Sequence, residues 1–248
     1  MKRIVPLVSC AVLLASCGGG GSGASVQPAT TFRSNQVGDS WNYSVSINFG
    51  QFGAYRGTLN EGLTADTYNG LASIRDTQTF NLALNTGPST ITSYSEISPQ
   101  GVLLADMVNA VLYGVTSDTF SIGGSIDSTT STSGVITLSD GVTITETFKV
   151  IGAEVVNTAA GSYACWIVSQ KVVNSNGTSD SFVIWMAPQI GNYVRITDTT
   201  VNPDGTGYTY TASLTSMVNV AGATARKTGA ALPGLLHLPG HLLELGPR

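Results

Sequence analysis

The amino-acid sequence predicts an all-β fold built as an antiparallel meander. Apolar residues recur at every second position in several stretches, the period of a strand with one buried face. Turn signals such as Asn69-Gly70, Asn176-Gly177 and Asn202-Pro203-Asp204-Gly205 divide those stretches at short intervals. Charged residues make up 10% of the chain and apolar residues 42%; an average soluble protein carries roughly 25% charge. About ten or more strands joined by short turns imply an antiparallel sheet, sandwich or barrel, not a parallel sheet. The 248 residues fit one such domain.

The first strand is the clearest. Trp41, Tyr43, Val45, Ile47 and Phe49 are apolar at alternate positions, with polar residues between them. Residues 55–63 continue the alternation, Asn69-Gly70 supplies a hairpin turn, and residues 72–84 form the return strand. Residues 90–97 read as a further strand, closed by Pro99-Gln100-Gly101. Residues 102–113 break the pattern. Leu103, Leu104, Met107, Val108, Val111 and Leu112 recur at helical spacing, so a short helix or lid is one reading and a buried loop-and-strand segment the other. Residues 125–133 are Ser/Thr-rich and read as an exposed loop or hairpin end. Strands then follow at 134–138, 142–157, 162–173, 179–186, 193–201 and 206–217, each pair separated by a turn containing Gly or Pro.

The chain opens with Lys2 and Arg3, a short apolar run over residues 4–14, and then Leu14-Ala15-Ser16-Cys17. The apolar run is too short to span a bilayer as a helix. The segment resembles the lipobox of bacterial lipoproteins. That resemblance implies cleavage before Cys17, acylation of its thiol, and attachment to a membrane through the acyl chains, since two or more chains hold where one binds only marginally. Gly18 after the cysteine, in place of Asp, implies the outer membrane in enteric-type bacteria. Loss of Lys2 and Arg3 takes the formal charge from −4 to −6. Such an acidic chain, its few cations scattered, offers no electrostatic footprint for nucleic acid. The expected organisation is a signal peptide at 1–16, a Gly/Ser-rich tether at 17–34, a β domain at 35–220 and a Leu/Pro/Gly-rich tail at 221–248.

A second resemblance rests on the domain. Residues 154–166 (Glu-Val-Val-Asn-Thr-Ala-Ala-Gly-Ser-Tyr-Ala-Cys-Trp) are similar to the "V-x-V-x-T-P-A-G-T-F-x-C" hairpin of a group of uncharacterised bacterial exported proteins. Residues 185–195 (Trp-Met-Ala-Pro-Gln-Ile-Gly-Asn-Tyr-Val-Arg) are similar to their following "W-Y-A-P-G-V-G-x-V-K" segment, and residues 37–43 to their opening strand. This chain lacks the proline of the first motif and has Gln189 where glycine is usual. The group is related in shape to the lipoprotein-localisation carriers. The resemblance therefore implies an open, unclosed β-barrel or strongly curved sheet, with one short helix at most.

Ala187-Pro188 and Gly191 read as a structural corner between two strands. Pro188 ends ladder donation and Gly191 is free to take a positive φ. Trp41, Tyr43, Val45, Trp166 and Trp185 are the candidate lining of an aromatic groove for an acyl chain or a glycan; ordinary core packing is the competing reading. Arg195 is expected to pair with Asp198.

Cys165 is the one cysteine left for the mature domain and reads as a buried small hydrophobe, with no histidine near it in sequence. His237 and His241 are four apart, but Pro239 interrupts a helical zinc site. No metal or cofactor is expected. The carboxylates read as scattered through turns and polar faces, and no nucleophile, zinc or phosphate-loop motif is present. The chain is therefore read as non-enzymatic: a membrane-anchored envelope lipoprotein with a binding or scaffold domain, its ligand a lipid, an acyl chain or another envelope protein. The alternative is a surface-exposed structural or adhesive lipoprotein. A carboxylate-based hydrolase is third.

Overall fold

A computed structural model of the chain describes residues 26–83, 89–96, 103–108, 111–118 and 125–220. The expected signal peptide, Cys17, the start of the expected tether, His237, His241 and the expected tail lie outside the described residues.

Among the described residues twelve strands follow one another: β1 (Ser40–Asn48), β2 (Ala54–Tyr68), β3 (Leu71–Leu82), β4 (Ser89–Glu96), β5 (Leu103–Val108), β6 (Val111–Asp118), β7 (Ser131–Leu138), β8 (Thr143–Thr158), β9 (Gly161–Asn174), β10 (Ser179–Ala187), β11 (Asn192–Val201) and β12 (Gly207–Val218). Among the described residues, the helical content is one 3-10 turn, Gly50–Phe52. Nine strands, running β7-β8-β9-β10-β11-β12-β1-β2-β3, form one antiparallel meander sheet that does not close on itself. This is the expected curved, open sheet. The remaining strands, β4, β5 and β6, span the gap from β3 to β7, so that backbone pairing passes right round the ring. The seam is thinnest at β6/β7, which pair only through Val115↔Leu138, Ser117↔Thr137 and Asp118↔Ile136, with a register shift.

The helix allowed for residues 102–113 is replaced by two strands. Met107↔Leu112 and Val108↔Val111 pair between antiparallel β5 and β6. Apolar residues on two short consecutive strands fall at spacings that imitate a helical period.

The turns follow the sequence chemistry. Asn69 (φ 49°) and Gly70 (φ 80°) both lie in the left-handed region that a two-residue hairpin requires. Bulges bend the nine-strand sheet at Thr215 in β12, opposite Asn42/Tyr43, at Val194 in β11, opposite Trp185/Met186, and at Ile151 in β8.

Residues 26–39 form a strap across one rim. The Arg33 amide donates to Pro188 O (2.9 Å), Ile126 N–H to Thr30 O (2.9 Å), and the Trp166 indole N–H to Ala29 O (3.0 Å). Phe32 and Ile126 are buried beside them. The tether expected to run to residue 34 therefore ends earlier: residues 29–33 are docked on the barrel. Ile126 likewise pins the start of the expected 125–133 loop, and β7 begins at Ser131. The core is the inward face, where Trp41, Tyr43, Val45, Ile47, Leu59, Phe80, Trp166, Val168, Ile184, Ile196 and Leu214 are buried in one cluster.

Candidate functional site

The alternation that makes the core also determines where the groove candidates point. Trp41, Tyr43 and Val45 stand in the inward phase of β1, and Trp166 in the inward phase of β9. All four are packed, with Trp41 and Tyr43 at 0% exposure. Tyr43 stacks on Tyr193 at 4.6 Å between ring centroids, and its hydroxyl donates to Tyr193 O (3.2 Å). Trp185 lies in the opposite phase of β10, on the outer wall, where its indole N–H donates to Glu154. The five residues are therefore not brought to one surface.

The inward face carries polar groups as well. Glu61, Asp76, Glu146, Asp180 and Asp198 are all buried there. The carboxylates expected on turns and polar faces thus include five inside the wall. Their strand parity accounts for this: each is in phase with apolar neighbours, as Glu61 is with Leu59 and Leu63.

Two clusters result. In the first, Asn192 Nδ2 donates to Glu61 Oε1 (3.0 Å), and burial followed by the nearby Asp76 charge pushes the Glu61 carboxyl well up. In the second, the Thr200 hydroxyl is 2.5 Å from Asp180 Oδ1 and 3.1 Å from Asp198 Oδ2. Burial and then the charge of Asp180 push Asp198 up to about 7; burial also raises Asp180. One hydroxyl has one proton to donate. The Tyr208 phenol bonds the same hydroxyl, so Thr200 joins both carboxylates and the phenol in one buried network. Burial holds the Tyr43, Tyr193 and Tyr210 phenols neutral in the same interior.

Asp198 and Arg195 do not pair. Three residues apart on one strand, they face opposite sides of the wall. The Arg195 guanidinium instead sits over the Trp185 ring, 5.4 Å from its centroid. Cys165 is fully buried, and burial pushes its thiol up to about 12, which suits a packing residue and not a nucleophile.

Pro188 and Gly191 do form a turn between β10 and β11, with Gly191 N–H bonded to Ala187 O (3.1 Å). Gly191 has φ +71°, and a Cβ built there falls 2.6 Å from Arg33 O. The glycine is required twice, by its backbone angle and by the strap lying against it.

The strap is locked by Asp39. Arg33 Nη1 and Nη2 donate to its two oxygens (2.6 and 2.8 Å), and the amides of Gln36 (2.6 Å) and Val220 (2.7 Å) add two more bonds. Burial alone pushes the Asp39 carboxyl up. Arg33 and the two amides outweigh that and hold it below the usual carboxylate range. Arg33 Nη2 also donates to Val220 O (3.0 Å), so the incoming and outgoing chain meet at this rim.

The outer wall has a groove of about 510 Å³ crossing β2, β1, β12 and β11. Ser44, Ser46, Thr197, Thr211 and Ser213 face outward along it, with Arg56 and Arg195 at its ends. Sequence reading missed both the groove and the interior acids. Strand parity would have located the acids; the groove depends on neighbours brought together by register.

No family model matches the chain, and no curated protein matches it. Three solved structures are similar to it. A Bacteroides fragilis protein described as exported, with a YmcC-like fold, is 17% identical over 77% of this chain and 100% of that chain, with a TM-score of 0.40. A Parabacteroides distasonis protein described as a lipoprotein is 12% identical over 77% and 100%, with a TM-score of 0.39. The hypothetical lipoprotein YmcC of Escherichia coli is 14% identical over 75% and 87%, with a TM-score of 0.36. Likeness at this level carries no argument about what this chain does.

Proposed function

We propose that the chain is a lipid-anchored, non-catalytic binding module of the bacterial cell envelope, tethered to the outer membrane through acylated Cys17. The observation that carries this reading is the rim where Arg33, Asp39 and Val220 meet. The segment that leads back to Cys17 is docked there, so the anchor pulls on one end of the barrel. The outer wall and the opposite rim are left to meet a partner.

The chemistry of the described residues supports binding over catalysis. The buried carboxylates are packed among aromatic and aliphatic side chains. Cys165 is held as a neutral thiol. Where side chains are described, the inward face is filled by its own packing, which favours the outer wall as the recognition surface in this reading.

The test is fractionation. Cys17→Ser should move the protein from the membrane pellet to the soluble fraction, because the acyl chains supply the attachment. A Cys17→Ser protein that stays in the pellet after a high-salt wash removes the anchor from this account. The binding part is tested separately, on the soluble variant.

A further inference from the structure

We propose that the outer-wall groove between Arg56 and Arg195 binds an extended polyanion bearing phosphate-type groups. The proposal rests on the reading of the domain as a binding module and names the ligand class for its outer wall.

The floor is a two-row array created by register. In one row Arg56, Ser46, Thr211 and Thr197 are successive cross-strand neighbours on β2, β1, β12 and β11. In the next, Ser44, Ser213 and Arg195 are neighbours on β1, β12 and β11. Small hydroxyl side chains between two long arginines make the depression. The arginines stand at diagonal corners. Three strand spacings across and two residues along put their Cα atoms ~16 Å apart. That separation suits two anionic groups on one extended ligand better than a single small ion.

Charge supports the same class. Among the described residues, no carboxylate lines the groove. Arg33 is paired with Asp39 and Arg75 with Asp66, whereas neither Arg56 nor Arg195 has a carboxylate partner among the described residues. The chain around them is acidic overall, at −4. Arg195 is stationed by the face of Trp185, whose N–H is in turn held by Glu154. Stacking leaves the in-plane N–H donors of a guanidinium available, and two such donors match a phosphate oxygen pair. The Ser and Thr hydroxyls supply neutral donors between the charged ends.

Phosphate-type groups in series occur both in soluble polyphosphate and in an anionic lipid surface. The test uses full-length Cys17→Ser protein, with linear polyphosphate of about ten units followed by calorimetry, and vesicles of phosphatidylglycerol or of phosphatidylcholine followed by sedimentation. Saturable binding is expected, with Arg56→Gln and Arg195→Gln each weakening it about tenfold or more, the loss of one charge-assisted bond. Lys171→Gln, on the outer wall away from the groove, should change it less than twofold. Binding to polyphosphate alone identifies a soluble ligand. Binding to phosphatidylglycerol vesicles and not to phosphatidylcholine identifies a lipid one. If neither probe saturates, or if all three substitutions weaken binding equally, the proposal is overturned. Circular dichroism of each variant separates such a result from unfolding. Release by Cys17→Ser is read independently, so the anchor and the groove fail separately.

Discussion

Replacing Asp198 with asparagine should make the domain more stable at neutral pH and flatten its pH dependence. Asp198 is 3% exposed and sits on the inward face with Asp180, bridged by the Thr200 hydroxyl. Its carboxyl is pushed from an ordinary 3.8 to about 7, first by burial and then by the Asp180 charge. The folded state therefore holds a proton that the unfolded state has already released. Between pH 4 and 7 the native form binds more protons, so the free energy of unfolding falls as pH rises, and it levels off above the folded value. Raising this carboxyl from 3.8 to about 7, at ~1.36 kcal/mol per pH unit, contributes at most ~4 kcal/mol. Asp180 and Glu61 are also raised, so they add to the same slope. The substituted amide keeps the shape of the carboxyl and a donor for Thr200 but cannot ionise. Urea unfolding of the Cys17→Ser protein at pH 4.5 and pH 7.5 measures the effect. The parent should lose several kcal/mol between the two conditions, and Asp198→Asn should lose less by ~2–4 kcal/mol. A parent that is equally stable or more stable at pH 7.5, or a variant with the parent's slope, would refute the reasoning.

Other substitutions probe the strap and its corner. Gly191→Val should destabilise by ~1–3 kcal/mol, because a β-branched residue is strained at φ +71° and its Cβ meets the strap backbone; an unchanged melting temperature would remove Gly191 as a backbone-determined position. Asp39→Ala leaves the Arg33 guanidinium and the Gln36 and Val220 amides without their shared acceptor, and should cost ~3 kcal/mol. The same change should speed proteolysis before residue 40, and a protease pattern identical to the parent's would contradict the docked strap. Because the Asp39 carboxyl is held low, its contribution is present above the ordinary carboxylate range and lost as pH falls through the folded value. The acid limb of a stability curve should accordingly be shallower in Asp39→Ala than in the parent.

How much of this was legible differs from residue to residue. The period of two over Trp41, Tyr43, Val45 and Ile47 was enough to assign a strand and its buried face, because side chains must alternate on a pleated backbone. Asn69-Gly70 was enough to place a hairpin, since few residue pairs accept two positive φ angles in succession. The same parity held the inward acids in plain view. Glu146 alternates with Ile144 and Phe148, and Asp180 with Phe182 and Ile184, but scanning for carboxylate pairs in the chain could not show them as one buried set.

What tertiary structure alone decided is what pairing brings across long separations. Residues 102–113 carry too few residues per strand for period to distinguish a helix from a hairpin, and only the partners in β4 and β7 resolve it. The strap lies against Gly191 and bonds Trp166, more than a hundred residues away in sequence, through backbone groups that no side-chain pattern encodes. Arg56 and Arg195 share a groove because three consecutive ladders fix the offsets of β2, β1, β12 and β11. The sequence by itself determined strand identity, turn positions and the faces each residue takes, since these follow from local geometry. Register, the docking of the strap and the joint burial of Asp180 with Asp198 belong to the folded chain, because each depends on which strands become neighbours.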